Sequence, residues 1–249
     1  MAPDLYEGFA ERYDLAIGRW DEFEPTILEF FRRLFVKNRV DTVLDCACGT
    51  GRHLLLFHSL GCQVWGSDVS ESMLAQARNN LAHYGVEVLL HKADYRDLPD
   101  RFDRRFDAVV CLGAIGYMPD EAEVLRAFGR MRAVLREGGV LVLTTIPTDR
   151  QWQEKPRFAL AANNERTSRL FVMDYLERRV HYDILDIFHS QETSGLDVWN
   201  AELTVLLRDD QERLLKAAGF QNVEFYGSFG LDPYDKQTSD KLITVAQKE

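Results

Sequence analysis

From residue 22 to about 146 the chain alternates helix and strand signals, and that alternation limits the folds open to it more than any other feature. The segment FEPTILEFFRRLF carries apolar residues at helical spacing and leads into the short β-branched run DTVLDCA. RHLLLFHSLG reads as a helix closed by Gly61, with CQVWGSD as a second strand. A helix over ESMLAQARNNLAHYG starts at Ser70 or Glu71 and stops at Gly85, a natural left-handed terminator. VEVLLHKAD and FDAVVCLG are a third and a fourth strand. The spacing in EAEVLRAFGRMRAVLREGG predicts one long amphipathic helix ending in two glycines, and VLVLTTI follows as a fifth strand. Strands separated by helices at this spacing are joined by right-handed crossovers, which gives a parallel sheet with helices on both faces.

The pattern changes at about residue 150. Up to 207, SRLFVMDY, RRVHYDILDIFHS and LDVWNAELTVLL are strand-like with no long helix between them. This reads as an antiparallel insertion, since the α/β pattern returns with the helix RDDQERLLKAAGF and the strands QNVEFYGSF and DKLITVAQK. The expected organisation is one domain over 1–249. Residues 1–40 form a helical lid, 41–147 the ligand-binding core, 150–207 a β-rich cover and 208–249 the last helix and two strands.

With 249 residues, 46% of them hydrophobic, the chain is long enough to bury a core without disulfide or metal staples. Its net charge of −10 is a poor match to a phosphate backbone, so no nucleic acid is expected as partner. The opening MAPDLYEGFAERYD lacks a basic and an apolar leader region, and no apolar run approaches the roughly 18 residues of a membrane span. The four cysteines, Cys46, Cys48, Cys62 and Cys111, form no CxxC pair and read as small buried thiols in a reducing cytoplasm, the expected location; no metal is expected.

The chemistry concentrates in VLDCACGTG at 43–51, where a strand ends on Asp45 and runs into Gly49 and Gly51. In an open α/β sheet, ligands bind beyond the carboxyl ends of the strands, and glycines there let the backbone turn and approach a ligand closely. A dinucleotide site needs G-x-G-x-x-G, but the third position here is Leu54, and a carboxylate at Asp45 repels a pyrophosphate while suiting an α-amino group.

Taken together, these motifs resemble the class I S-adenosylmethionine-dependent methyltransferases. VLDCACGTG is similar to their first motif, which implies that Asp45 and Gly49 hold the methionine end and that Ala47 and Gly51 also belong to the cofactor site. VWGSDVSESML resembles the second, implying that Asp68 grips the ribose hydroxyls, with Val69 and Met73 beside it. HKADYRDLP resembles the third, implying adenine contacts from Asp94 and the Tyr95 N–H. FDAVVCLGAIGYM resembles the fourth, with Leu112 and Gly113 passing the methionine portion, and VLREGGVLVLT the fifth. The resemblance covers 43–146 most strongly. It implies a doubly wound, Rossmann-like, seven-stranded and mostly parallel sheet with an antiparallel last strand, S-adenosylmethionine as cofactor and S-adenosylhomocysteine as product. The insertion and tail resemble the small-molecule branch, which includes glycine-type and amino-sugar N-methyltransferases.

Methyl transfer from a sulfonium is an in-line displacement, so the protein mainly aligns a nucleophile at about 3–3.5 Å and excludes water. The expected acceptor is a nitrogen or oxygen of a small metabolite. Tyr6, Phe9 and Tyr13 fall at helical spacing, compatible with a lid, and Ile115, Gly116 and Tyr117 follow strand four, so Tyr6, Tyr13 and Tyr117 are the pocket candidates. His181, Tyr182, His189 and Trp199 lie in the insertion, but strand alternation turns half of such residues to solvent, and no catalytic base is assigned. DPY at 232–234 reads as a turn before the final strand. An RNA or protein methyltransferase, or a non-catalytic cofactor-binding regulator, stays open at this level.

Overall fold

The computed structural model describes residues 10, 13–14, 20–189 and 194–249. The first element whose full extent is described is helix α1 (Pro25–Asn38), and β1 (Thr42–Asp45), α2 (Arg52–Ser59), β2 (Gln63–Asp68), α3 (Glu71–His83) and β3 (Leu89–Lys92) follow. The short α4 (Leu98–Arg101), β4 (Phe106–Leu112), α5 (Glu121–Val134) and β5 (Leu135–Thr145) complete the alternating half. After α6 (Asp149–Glu154) come β6 (Phe158–Asn163), β7 (Thr167–Tyr175), β8 (Arg179–His189) and β9 (Ser194–Thr204). The chain ends with α7 (Arg208–Ala217), β10 (Phe220–Tyr226) and β11 (Leu242–Lys248).

Seven strands form one sheet in the order β10-β11-β5-β4-β1-β2-β3. The pairs from β5 across to β3 are parallel, and β11 runs antiparallel to both its neighbours. Because the chain steps outward from β1 to β3 and then returns to the other side at β4, strand order reverses between β1 and β4. A crevice opens there, beyond the carboxyl ends of both strands.

Strand periodicity explains why helices cover both faces. Leu44, Val109, Cys111, Leu141 and Leu143 point to one side and pack with Val124, Phe128 and Met131 of α5 and Leu214 and Leu215 of α7. Their alternate neighbours Val43, Ala108, Val110, Val140 and Val142 point to the other side, against Phe30, Phe31 and Phe35 of α1 and Leu54 and Phe57 of α2. The Phe31 ring makes an edge contact with Phe57 at 4.9 Å between centroids, inside the favourable range for aromatic pairs. Among the described residues, no helix is long and apolar enough to cross a membrane.

The helix predicted over 121–139 stops at Val134. Leu135 is already extended and pairs with Phe106, and an added Cβ on Gly139 would lie 3.1 Å from the Asp107 carbonyl, so these glycines serve the strand rather than cap the helix. The insertion has four strands, not three, in the order β6-β7-β8-β9. The additional strand, FALAAN, pairs antiparallel with β7. Inside this sheet lies a buried bidentate pair, with Arg169 donating to both Asp186 oxygens at 2.6 and 2.9 Å. The insertion docks on the loop after β4, where the Thr204 hydroxyl donates to the Met118 carbonyl at 2.6 Å.

Candidate active site

Loop chemistry shapes the crevice. Gly49 has φ +52°, in the left-handed region, and no atom lies within 4 Å of where its Cβ would stand. The same open space faces Gly113, just beyond β4. The loop thus presents bare backbone to a cavity lined by Ala47, Gly49, Asp68, Val69, Met73, Asp94, Tyr95, Leu112 and Gly113, together with Tyr13 and Tyr117. Three further lining residues, Cys46, Ala93 and Ala114, are not among the cofactor residues expected from sequence, though each adjoins one of them. All four cysteines are free and buried.

Two of the expected cofactor residues do not line this cavity. Gly51 has φ +90°, and its added Cβ would sit 3.2 Å from the Ala77 Cβ, so this glycine lets α3 pack against the start of α2. Asp45 is 1% exposed and sits below the loop, with its Oδ1 accepting from the Ala47 N–H at 3.2 Å. Its Oδ2 is buried with no hydrogen-bond partner among the described residues. Burial, with the Asp68 charge adding to it against the Ala47 hydrogen bond, pushes the Asp45 carboxyl up to about 7.

At the tip of β2, Asp68 accepts from the Gly49 N–H and the Ser70 N–H, both at 2.9 Å, and so ties the glycine loop to the start of α3. Burial raises its pKa while these backbone donors oppose the rise. Asp94 is held by Arg96, whose Nε and Nη2 donate to its two oxygens at 2.9 and 2.7 Å. Arg96 also reaches Glu123 of α5, so the acid is oriented through a fixed guanidinium. The Tyr95 side chain is buried and donates to the Ala114 carbonyl at 3.2 Å.

Among the aromatic candidates, Tyr6 and Phe9 lie outside the described residues. Tyr13 is held beside Arg169, whose guanidinium lies 5.6 Å from the ring centroid, and burial raises its pKa first, with Tyr117 adding. Its neighbour Asp14 accepts from the Thr50 hydroxyl and the Asn80 amide, both at 2.7 Å, and so fastens this segment to the glycine loop. Ile115 is buried in the core and Gly116 packs on Leu203, which leaves Tyr117 as the residue of that loop facing the cavity. The Tyr117 and Tyr182 hydroxyls are hydrogen-bonded to each other. His189 pairs with Ser168 at 3.1 Å on the surface and His181 lies 3.5 Å from Asp183, both outside the cavity. Tyr234 of the DPY turn donates to Asp149 at 2.7 Å.

A second cavity of about 600 Å³ adjoins the first, sharing Leu112 and Gly113 with it. Its floor includes His53, Thr144 and Thr145, and its roof is the inner face of the inserted sheet, with Phe171, Met173, Tyr175, Val180, Tyr182 and Leu203. His53 escaped the sequence reading, although its place in the first turn of α2, four residues before the buried Phe57, put it on the inward face. Burial, then the neighbouring Arg52 charge, lowers its pKa to about 4, so the imidazole is neutral at physiological pH.

The residues present fit a cofactor with a cationic amino-acid tail. An orphaned carboxylate oxygen lies under the loop, open space faces two glycines, and carboxylates stand at the ends of β2 and β3. Comparison with known proteins agrees. Residues 43–139 match the methyltransferase domain family. The chain is 28% identical to the glycine/sarcosine N-methyltransferase of Aphanothece halophytica, over 99% of this chain and 90% of that protein. It is 27% identical to the putative methyltransferase YqeM of Bacillus subtilis, over 98% and 97%. Among solved structures, the sugar N-methyltransferase KedS8 from Streptoalloteichus is 26% identical, with a TM-score of 0.72 over 95% of this chain and 92% of that one. An S-adenosylmethionine-dependent methyltransferase from Clostridium acetobutylicum shares the fold with a TM-score of 0.81 at 21% identity, over 98% of each chain. The domain match and these relatives, read with the glycine loop and the strand-tip acids, support an S-adenosylmethionine-dependent methyltransferase.

Proposed function

We propose that this enzyme transfers a methyl group to the amino nitrogen of a free small molecule, larger than an amino acid, held in the chamber beneath the inserted sheet. The carrying observation is the confluence of the two cavities at Leu112 and Gly113. One cavity has the acids for a nucleoside with an amino-acid tail, and the other is mainly apolar and of ligand size. A volume of about 600 Å³ exceeds what glycine needs and suits a ring-bearing amine. The roof over the chamber favours a free molecule over a residue embedded in a polymer.

When bound, S-adenosylmethionine supplies a methyl group on a sulfonium that is open to in-line displacement. We assign Asp45, Ala47 and Gly49 to the amino-acid tail, Asp68 to the ribose, Val69 and Met73 to the walls beside it, and Asp94 and Tyr95 to the adenine. Gly51 acts indirectly, by letting α3 approach. Burial raises the pKa of Tyr182, so this phenol stays protonated and serves as a hydrogen-bonding group rather than a base. Neutral His53 accepts from the N–H of the acceptor, and the Tyr117–Tyr182 pair orients its lone pair. An ammonium has no lone pair to donate, so the free amine reacts and the rate follows the ionisation of the amine itself.

The test is transfer of a labelled methyl group to paired acceptors: amino sugars and cyclic amines, their hydroxyl analogues, and glycine and sarcosine. The expected result is label on nitrogen in the ring-bearing amines only. Label on the hydroxyl analogues, or preferred labelling of glycine, would overturn the proposal.

A further inference from the structure

A hydroxyl at the end of β5 stands where the two cavities meet. Strand alternation puts Thr144 on the same face as Val140 and Val142, the face packed against α1 and α2, and turns Thr145 to the other. Thr144 is also the register partner of Leu112, where β4 ends. The N–H of the next residue, Gly113, donates to the Thr144 carbonyl at 3.0 Å and to the Thr144 hydroxyl at 2.9 Å. A backbone N–H only donates, so the hydroxyl oxygen is the acceptor in that bond and its own hydrogen points elsewhere. Among the described residues no acceptor takes that hydrogen. Thr144 lines the larger cavity, and its partner Gly113 lines both. Other hydroxyls of the larger cavity are engaged: Gln211 donates to Thr145 at 2.7 Å, Tyr175 donates to the Pro156 carbonyl at 3.2 Å, and Tyr182 is bonded to Tyr117.

We infer that Thr144 is a specificity-determining residue, whose hydroxyl donates to an uncharged oxygen on the carbon next to the one that carries the reacting amine. The inference rests on the chamber being the acceptor site. The bond from Gly113 fixes the hydroxyl at the junction, where the reacting nitrogen must also lie to meet the sulfonium. That nitrogen is not the target, because a donated hydrogen would occupy the lone pair needed for displacement. A second amine is no better, since at neutral pH it is an ammonium that accepts no hydrogen bond. An oxygen close to the amine remains. The charged side chains of the cofactor cavity that meets the chamber here are the carboxylates Asp68 and Asp94, which oppose an anionic oxygen, so a hydroxyl or ether oxygen fits. His53 then takes the N–H and Thr144 gives to the oxygen. Two hydrogen bonds of opposite sense set which way round the molecule lies, and they select ring-bearing amines with a neighbouring oxygen.

The test is calorimetric binding of cis- and trans-2-aminocyclohexanol and of cyclohexylamine to the full chain loaded with S-adenosylhomocysteine, which has no methyl to transfer. An apolar chamber alone favours cyclohexylamine, because burying an unmatched hydroxyl costs desolvation. The wild type instead binds one aminocyclohexanol isomer about tenfold or more tighter than cyclohexylamine, as expected where the lesser ligand leaves a buried donor unpaired. Thr144→Val keeps the side-chain shape and the Gly113 bond to the carbonyl, and it collapses that ratio to about twofold or less. Thr144→Ser restores the preference, and the affinity for S-adenosylhomocysteine is the same in wild type and Thr144→Val. Equal binding of the amines by the wild type, a preference that survives Thr144→Val, or a loss that falls on S-adenosylhomocysteine instead would overturn this inference and leave the chamber reading standing. If none of the three amines binds the loaded wild type, both fall.

Discussion

Asp45→Asn separates what the buried acid does for the fold from what it does for the ligand. The carboxyl is 1% exposed and its pKa stands at about 7 against an ordinary 3.8. Between those two values the unfolded chain has released the proton that the folded chain keeps, so stability falls as pH rises from about 4 to 7. Above 7 the full penalty applies, because the folded protein then carries a buried carboxylate. At about 1.4 kcal/mol per unit, the penalty is about 4 kcal/mol at pH 8 and about 2 kcal/mol at pH 5. Asparagine removes it and keeps the acceptor for the Ala47 N–H. The amide left without a partner at Oδ2 costs about 1–3 kcal/mol at either pH. That cost cancels in the comparison between the two pH values. The variant therefore gains about 2–3 kcal/mol more at pH 8 than at pH 5, or roughly 5–10 °C in melting temperature for a chain of this length. The assay is thermal unfolding of the ligand-free protein at both pH values. In the presence of S-adenosylmethionine the order is expected to reverse, on the proposal that Asp45 is the counter-charge of the cationic tail. A stability difference that is the same at pH 5 and pH 8 would refute this reasoning.

Further expectations rest on packing and on the junction of the two cavities. Gly66→Ala in β2 places a Cβ 2.8 Å from a Leu54 methyl and 2.6 Å from a Leu90 methyl, so chemical denaturation will show a loss of about 1–3 kcal/mol. Phe31→Ala empties a fully buried site between α1 and α2 and will cost about 3–5 kcal/mol by the same assay. Tyr182→Phe removes the hydroxyl partner of Tyr117, and turnover will fall about tenfold or more while cofactor affinity, read by calorimetry, stays put.

Much of the fold was legible because its signals are local. Periodicity marks the alternating strands and helices over 22–146, Ser70 caps α3 by accepting from the Met73 N–H, and Gly61 and Gly85 take up left-handed turns. The cavity-lining acids were legible for a related reason: Asp68 ends a strand that the sequence marks plainly. What stayed hidden depends on partners distant in sequence. Leu54, the residue that argues against a dinucleotide loop, fits because Gly66 leaves room for it in the facing strand, and nothing in either segment alone shows this. The larger cavity unites His53 of α2 with Tyr182 of β8, and only the docking of the inserted sheet brings them together. FALAAN went unread as a strand because its alanines carry little β signal, and its pairing with β7 decides the matter.

The central claim is that Asp68 and the glycine loop form the cofactor site. Calorimetric titration with S-adenosylhomocysteine, on the wild type and on Asp68→Ala, tests it most directly. The account predicts micromolar binding at one site per chain, weakened at least tenfold by the substitution while the variant still unfolds cooperatively. Equal affinity in the two proteins, or no binding to a folded wild type, would contradict it.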